Sequence, residues 1–155
     1  MIKVLFVCTA NICRSPLAEA IFRRLVEERA LSERISVSSA GTTDWRAGEP
    51  ADPRSQAEAL RHGLDLSHHQ ARQIALDDFR NSDYIVGMDE HNLYDLDILR
   101  PPEFMGWIGL LLEHAPEVHE IEVPDPYTGG PGHFAQTFDL IETGARHLLD
   151  NIVGH

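Results

Sequence analysis

A cysteine, an arginine six positions later and a serine beside it lie in the stretch CTANICRS, Cys8 to Ser15. Each brings its own chemistry: the thiolate is a strong nucleophile, and the planar guanidinium offers a fork of donors matched to a tetrahedral oxyanion. Before the stretch runs IKVLFV, Ile2 to Val7, which reads as a buried strand. After it, Ser15 and Pro16 read as an N-cap and first helical residue, and Leu17, Ile21, Phe22, Leu25 and Val26 recur at helical spacing to about Ala30. A loop between a strand and a helix N-terminus turns backbone N–H groups toward one point, and with the helix dipole it makes an anion site. Thiols in such a positive potential ionise more readily than the free side chain. Cys8 is therefore expected at the bottom of a phosphate-sized cradle, attacking phosphorus in line to give a phosphocysteine without a metal. Ser15 would donate to the sulfur and make it a better leaving group. A Cys-x5-Arg match alone is weak, and a small buried hydrophobe is the bland reading of Cys8. The strand before, the serine and the proline-started helix after it together favour the cradle.

The elements that must position these residues follow from patterning. With 155 residues and 43% apolar content, the chain reads as one domain, residues 1–155. Further strands are expected at Ile35–Ser39, Asp83–Met88 and, more weakly, His119–Val123. Further helices are expected from about Arg54 to Gly63, and at Glu90–Leu99, Glu103–His114 and His133–Ile152. Alternating strands and helices imply an α/β domain: a four-stranded parallel sheet with helices on both faces and the phosphate-binding loop after the first strand. Ligands of such sheets bind at the carboxyl ends of the strands. That edge collects Cys8–Ser15, Asp44 and Trp45, Met88 to Glu90, and Pro124 to Tyr127. Asp44, Asp89, Glu90 and Asp125 are thus the candidate general acids. Trp45 and Tyr127 are candidates to stack a substrate ring, or are packing aromatics.

Charge and cysteine usage exclude other roles. A formal charge of −12 repels nucleic acid and anionic membranes. No apolar run is long enough to span a bilayer, and Met1 leads into the first strand without a signal peptide's basic region, so a cytoplasmic protein is expected. Two cysteines cannot form a disulfide framework. Cys13 is either a resolving thiol that captures oxidised Cys8 or a small residue packed under the loop. The nine histidines show no metal-ligand spacing, so neither metal nor cofactor is expected.

The segments CTANICRSPLAEAIF, SSAGTTDW, HHQARQI, DYIVGMDEHNLYDL and VPDPY, in this order from residue 8 to residue 127, resemble the low-molecular-weight protein tyrosine phosphatases. The resemblance implies hydrolysis of phosphotyrosine in proteins, with Cys8 as nucleophile, Arg14 as phosphate-binding arginine and Asp125 as general acid. It implies a substrate lining of Thr9, Ala10, Asn11, Ile12, Cys13, Ser15, Trp45 and Tyr127. Asn11, Ser15, Ser39 and His69 match the network that shapes the loop, and Asp89 matches a supporting acid. The partners implied are a phosphotyrosine protein, such as a bacterial tyrosine kinase, and phosphate or vanadate as active-site anion. Two positions depart from the family pattern. Ala10 stands at a usual glycine, where a positive φ would cost about 1 kcal/mol or more. Thr128-Gly129-Gly130 follows Tyr127 where animal members often carry a second tyrosine. Same-fold alternatives are arsenate reductase, which needs cysteines downstream that this chain lacks, and protein arginine phosphatase, which typically has threonine at Ile12. A phosphotyrosine-binding module without catalysis would have lost Cys8 or Asp125.

Overall fold

The computed structural model describes residues 1–154. Alternation along the first strand, β1 (Ile2–Cys8), sends Val4, Phe6 and Cys8 to one face and Leu5 and Val7 to the other, all buried. A strand buried on both faces belongs at the centre of a sheet. β1 accordingly pairs in parallel with β2 (Ile35–Gly41) on one side and β3 (Tyr84–Gly87) on the other, and β4 (Trp107–Leu110) completes the order β2-β1-β3-β4.

The helices are α1 (Arg14–Glu28), α2 (Pro53–Arg61), α3 (Leu76–Asn81), α4 (Glu90–Leu99) and α5 (Pro131–Val153). The apolar stripes of α1 and α5, including Leu17, Ile21, Phe138 and Ile141, cover the face that carries Phe6 and Cys8. Phe79 of α3 and Leu96 of α4 cover the face that carries Leu5 and Val7. Fully burying a side chain of this size contributes about 1.5–3 kcal/mol. After β1 the chain builds outward to β2, then returns past β1 to β3. That reversal opens a crevice beyond the carboxyl ends of β1 and β3, and the loop Thr9–Cys13 lies at its mouth.

The all-parallel sheet with helices on both faces is as expected, but the fourth strand is not His119–Val123. The edge beside β3 is occupied by Trp107–Leu110, inside the segment expected to be a helix from Glu103 to His114. Short apolar runs do not distinguish the two states by periodicity. Gly106 also lies where a Cβ would meet the Asp83 carbonyl at 2.6 Å, so it lets this strand enter close against the start of β3. Residues Leu111–His114 form a single 3-10 turn. The alternation of HEIEV buries no stripe, since Ile121 is 59% exposed. Val123 instead donates its N–H to the Met88 carbonyl at 2.8 Å, tying the segment before Asp125 across the end of β3. The short α3 carries no long apolar period and escapes the sequence reading. It is capped by the Asp78 carboxylate, which accepts from the Ala75 N–H at 2.7 Å.

Candidate active site

The loop after β1 is shaped from behind. Asn11 is left-handed at φ 60°, a region that asparagine enters more readily than most side chains. Its buried amide donates to Ser15 Oγ at 2.7 Å and Ser39 Oγ at 3.1 Å, and accepts from the Arg72 N–H at 3.0 Å. The His69 ring nitrogen bonds the Asn11 carbonyl at 2.7 Å, and Ser39 Oγ donates to Glu19 at 2.6 Å. Ala10 has no positive φ, so the cost attached to losing the usual glycine does not arise; the left-handed turn falls on the next residue. The close approach is instead made by Gly41 at the end of β2, where a Cβ would stand 2.8 Å from the Thr9 carbonyl. The carbonyls of Cys8, Thr9 and Ile12 accept from the N–H groups of Thr42, Thr43 and Asp52. A trans peptide sets its N–H opposite its carbonyl, so carbonyls engaged in this way leave the matching N–H groups free to meet an anion.

Cys8 Sγ lies 3.0 Å from Ser15 Oγ and accepts from the Ser15 N–H at 3.4 Å. This contact has a local cause. α1 begins at Arg14 rather than at Pro16, so Ser15 sits inside the first turn and its hydroxyl is not spent as an N-cap. Asn11 already donates to that hydroxyl, whose own proton faces the sulfur at 3.0 Å and the Ala40 carbonyl at 3.4 Å; an ionised sulfur is the stronger acceptor.

Arg14 is only 1% exposed. Its Nη1 donates to Asp89 at 2.7 Å and to the Val123 carbonyl at 2.9 Å, and its Nη2 lies 3.7 Å from Asp125. Burial alone would lower the guanidinium's pKa, but the charges of Cys8, Asp89 and Asp125 outweigh it and raise the value. Asp89 is held in turn as the cap of α4, accepting from the Asn92 N–H at 2.8 Å. Asn92 returns to the Asp89 N–H at 3.2 Å and donates to Thr9 Oγ1 at 3.3 Å.

These groups surround a cavity of about 170 Å³. Cys8, Thr9, Ala10, Ile12, Cys13 and Arg14 line it from β1, its loop and the start of α1; Trp45 and Arg46 line it from the loop after β2, and Asp125 and Tyr127 from the segment before α5. Asn11 and Ser15, expected against the substrate, stand behind the loop. Trp45 is 70% exposed and so is not a packing residue. Tyr127 is braced by Arg46, which donates to its hydroxyl at 2.8 Å. The half-exposed Asp125 carboxylate accepts from the Tyr127 N–H at 3.0 Å. Asp44 and Glu90 do not line the cavity, and Asp89 is committed to Arg14. Cys13 is a free, buried thiol whose pKa burial pushes up to about 12, with Asp52, Cys8 and Asp125 adding to the shift. It stays protonated at neutral pH.

The sequence reading missed Arg46, Asn92, the Asp52–Arg54 pair and the Val123 carbonyl. Asn92 had a signal, three residues after the cap Asp89. Arg46 was visible only as the neighbour of Trp45. Among the described residues no cluster of three or more metal-ligating side chains is assembled.

Residues 3–154 match the family described as low molecular weight phosphotyrosine protein phosphatase. A low molecular weight protein-tyrosine-phosphatase of Streptomyces coelicolor is 41% identical over 150 residues, covering 95% of this chain and 91% of that protein. The crystal structure of a protein tyrosine phosphatase from Entamoeba histolytica, with Hepes in the active site, superposes with a TM-score of 0.94 at 33% identity over 99% of this chain and 97% of that one. A Drosophila arginine phosphatase superposes with a TM-score of 0.91 at 35% identity, covering 97% and 98%. With sequence and fold matched over nearly its whole length, the chain belongs to the low molecular weight phosphotyrosine protein phosphatase family.

Proposed function

We propose that the protein hydrolyses phosphotyrosine in proteins through a phosphocysteine, without a metal. The observation that carries this reading is that one cavity is lined by Cys8, Arg14 and Asp125, with Arg14 Nη2 3.7 Å from the Asp125 carboxylate. The loop N–H groups and Arg14 hold the phosphoryl oxygens. Cys8 Sγ attacks phosphorus, the bond to the tyrosine oxygen breaks, and Asp125 passes its proton to that oxygen. Water then attacks the phosphocysteine, Asp125 takes up the water's proton, and Cys8 leaves as a thiolate that the Ser15 hydroxyl stabilises. Trp45 and Tyr127 flank the ring, and Ile12 gives the cavity an apolar wall. A cytoplasmic setting suits two free thiols. A tyrosine kinase of the same cell is a candidate substrate.

The test is phosphate release from phosphotyrosine, phosphoserine and phosphoarginine peptides, with Cys8→Ser as control. Phosphotyrosine should be strongly preferred. The phosphoarginine arm addresses the Drosophila relative directly, and a preference for it would replace the tyrosine reading.

Arg14→Lys should lower kcat/KM by about 10²–10³ even though charge is conserved. An ammonium cannot bond Asp89 and the Val123 carbonyl while also presenting a fork to the phosphoryl group. An unchanged kcat/KM would remove Arg14 from that role.

Mild peroxide should link Cys8 to Cys13. The Cys8 thiolate attacks the peroxide and becomes a neutral sulfenic acid, which removes the Cys8 charge that helps hold Cys13 protonated. The Cys13 sulfur then attacks Cys8, its proton leaving with the displaced hydroxide as water, to form the disulfide. Both side chains line one cavity, and the protonated Cys13 should resist alkylation at neutral pH while Cys8 reacts. Peptide mapping that finds Cys8 only as sulfinic or sulfonic acid would leave Cys13 a packing residue.

A further inference from the structure

The segment that carries Asp125 has little behind it. Between Pro124 to Gly129 and the residues His133, Gln136 and Thr137 of α5 lies a cavity of about 270 Å³. Within the segment the bonds are short-range: Tyr127 N–H to the Asp125 carboxylate at 3.0 Å and Gly129 N–H to the Pro126 carbonyl at 2.9 Å. Neither fixes Asp125 relative to Cys8. On the Pro124 side the chain is tied through Val123 to Met88 and Arg14, with Arg14 Nη2 3.7 Å from the Asp125 carboxylate, and Arg46 reaches the Tyr127 hydroxyl; the Gly129 side needs its own attachment.

Arg54, in the first turn of α2, supplies a long-range attachment. Its Nη1 donates to the Gly129 carbonyl at 3.2 Å. Its guanidinium carbon lies 5.3 Å from the centre of the Tyr127 ring and 4.6 Å from that of Phe134, a buried residue of α5. The guanidinium cannot swing away, because the Asp52 carboxylate accepts from its Nε at 3.1 Å and its Nη2 at 2.9 Å, as well as from the Arg54 N–H at 2.8 Å. Asp52 is buried, caps α2, and donates its own N–H to the Ile12 carbonyl of the phosphate-binding loop at 2.8 Å. A continuous path therefore runs from the loop beneath the phosphate, through Asp52 and Arg54, to Gly129 and Tyr127 on either side of Thr128.

We propose that Arg54 is a positioning residue that holds the Asp125 segment at a fixed distance from Cys8, by clamping Gly129 and Tyr127 to the cap of α2 and so to the phosphate-binding loop. The inference rests on the proposed role of Asp125 as proton donor. Arg54 touches neither the cavity nor the reacting atoms; it acts through where Asp125 stands. The several donors of an arginine are required, since a lysine that kept Asp52 could not also reach the Gly129 carbonyl and contact both rings.

The test compares Arg54→Lys and Arg54→Met with the parent across substituted phenyl phosphates, alone and combined with Asp125→Asn. Misplacing a catalytic group by an ångström costs up to about 10²-fold, so kcat/KM for unsubstituted phenyl phosphate should fall by about 10- to 100-fold. Esters of strongly acidic phenols and the inhibition constant of vanadate should stay within about threefold, because neither depends on the donated proton. In the Asp125→Asn background the Arg54 substitutions should add almost nothing. Equal loss across the ester series, weakened vanadate inhibition, or a full-sized effect remaining without Asp125 would overturn the proposal. Arg54→Met keeps an apolar stem against Phe134 and reads the lost Gly129 bond should Arg54→Lys fold poorly by thermal unfolding. A flat series for Asp125→Asn alone would instead sink the proton-donor reading, which is a different outcome from any of these.

Discussion

Replacing Cys8 by serine should reduce turnover of aryl phosphates by about 10⁴-fold or more while phosphate and vanadate still bind. A serine hydroxyl is un-ionised at neutral pH, and Ser15, the nearest side-chain hydroxyl to the sulfur at 3.0 Å, is no general base. Asp125 enters this step carrying the proton meant for the leaving oxygen, so it cannot also take the serine's, and no other base lines the cavity. The anion cradle should survive, because its donors are the loop N–H groups and Arg14. Arg14 is held by Asp89 and the Val123 carbonyl rather than by the sulfur. The loop's shape likewise depends on Asn11, Ser39 and His69. Two measurements on the same preparation separate chemistry from binding: single-turnover release of the phenol, and calorimetric titration with phosphate or vanadate. Acid quenching during turnover should trap a phosphorylated protein from the parent and none from the variant. Turnover within tenfold of the parent would remove Cys8 from the role of nucleophile.

How much of this site could be read beforehand depends on how far apart in sequence its parts lie. Cys8, Arg14 and Ser15 were legible because strand, loop and helix follow one another within about one turn of chain, and each leaves a local signature in IKVLFV, CTANICRS and the apolar stripe of α1. The N-cap was misplaced because serine before proline is an ordinary helix start; α1 instead begins at Arg14, with the Ser15 hydroxyl 3.0 Å from the sulfur to which it was expected to donate. Ala10 and Asn11 show the same limit within two residues, since nothing local reveals which of them takes the positive φ. The sheet's fourth strand failed for a different reason. Trp107–Leu110 is too short to carry a period, whereas HEIEV alternates but finds the place beside β3 already taken by β4. The Asp125 segment therefore reaches the site not from the end of a strand but through the bond from Val123 to Met88 and the attachments made by Arg14, Arg46 and Arg54. Contacts spanning 75 residues, as between Arg14 and Asp89 or Arg54 and Gly129, leave no mark in local patterning. Sequence resemblance alone brought Asp125 forward from four acidic candidates.

Asp125→Asn tests that choice, and its effect should depend on the substrate. Asparagine is nearly isosteric and keeps a carbonyl oxygen to accept from the Tyr127 N–H, so the segment's turn should persist. What is lost is the proton for the departing oxygen and the charge facing Arg14 at 3.7 Å. A tyrosine-like phenolate is basic enough to need that proton, and general acid catalysis is worth about 10²–10⁴ in rate, so kcat/KM for phenyl phosphate should fall by that order. A phenol bearing strong electron-withdrawing groups leaves unaided and should lose far less. The plot of log kcat/KM against leaving-group pKa should therefore be steeper for the variant than for the parent. The measurement must be kcat/KM, because kcat also contains hydrolysis of the phosphocysteine, a step that is the same for every ester and conceals the leaving group. Losing the negative charge beside Arg14 should, if anything, help an anion bind, so a weaker KM could not account for the steeper slope. An equal loss for every ester would mean that Asp125 only shapes the loop. The proton would then have to come from a group that the structure does not place at the cavity, since Asp89 is engaged by Arg14 at 2.7 Å and neither Asp44 nor Glu90 lines it.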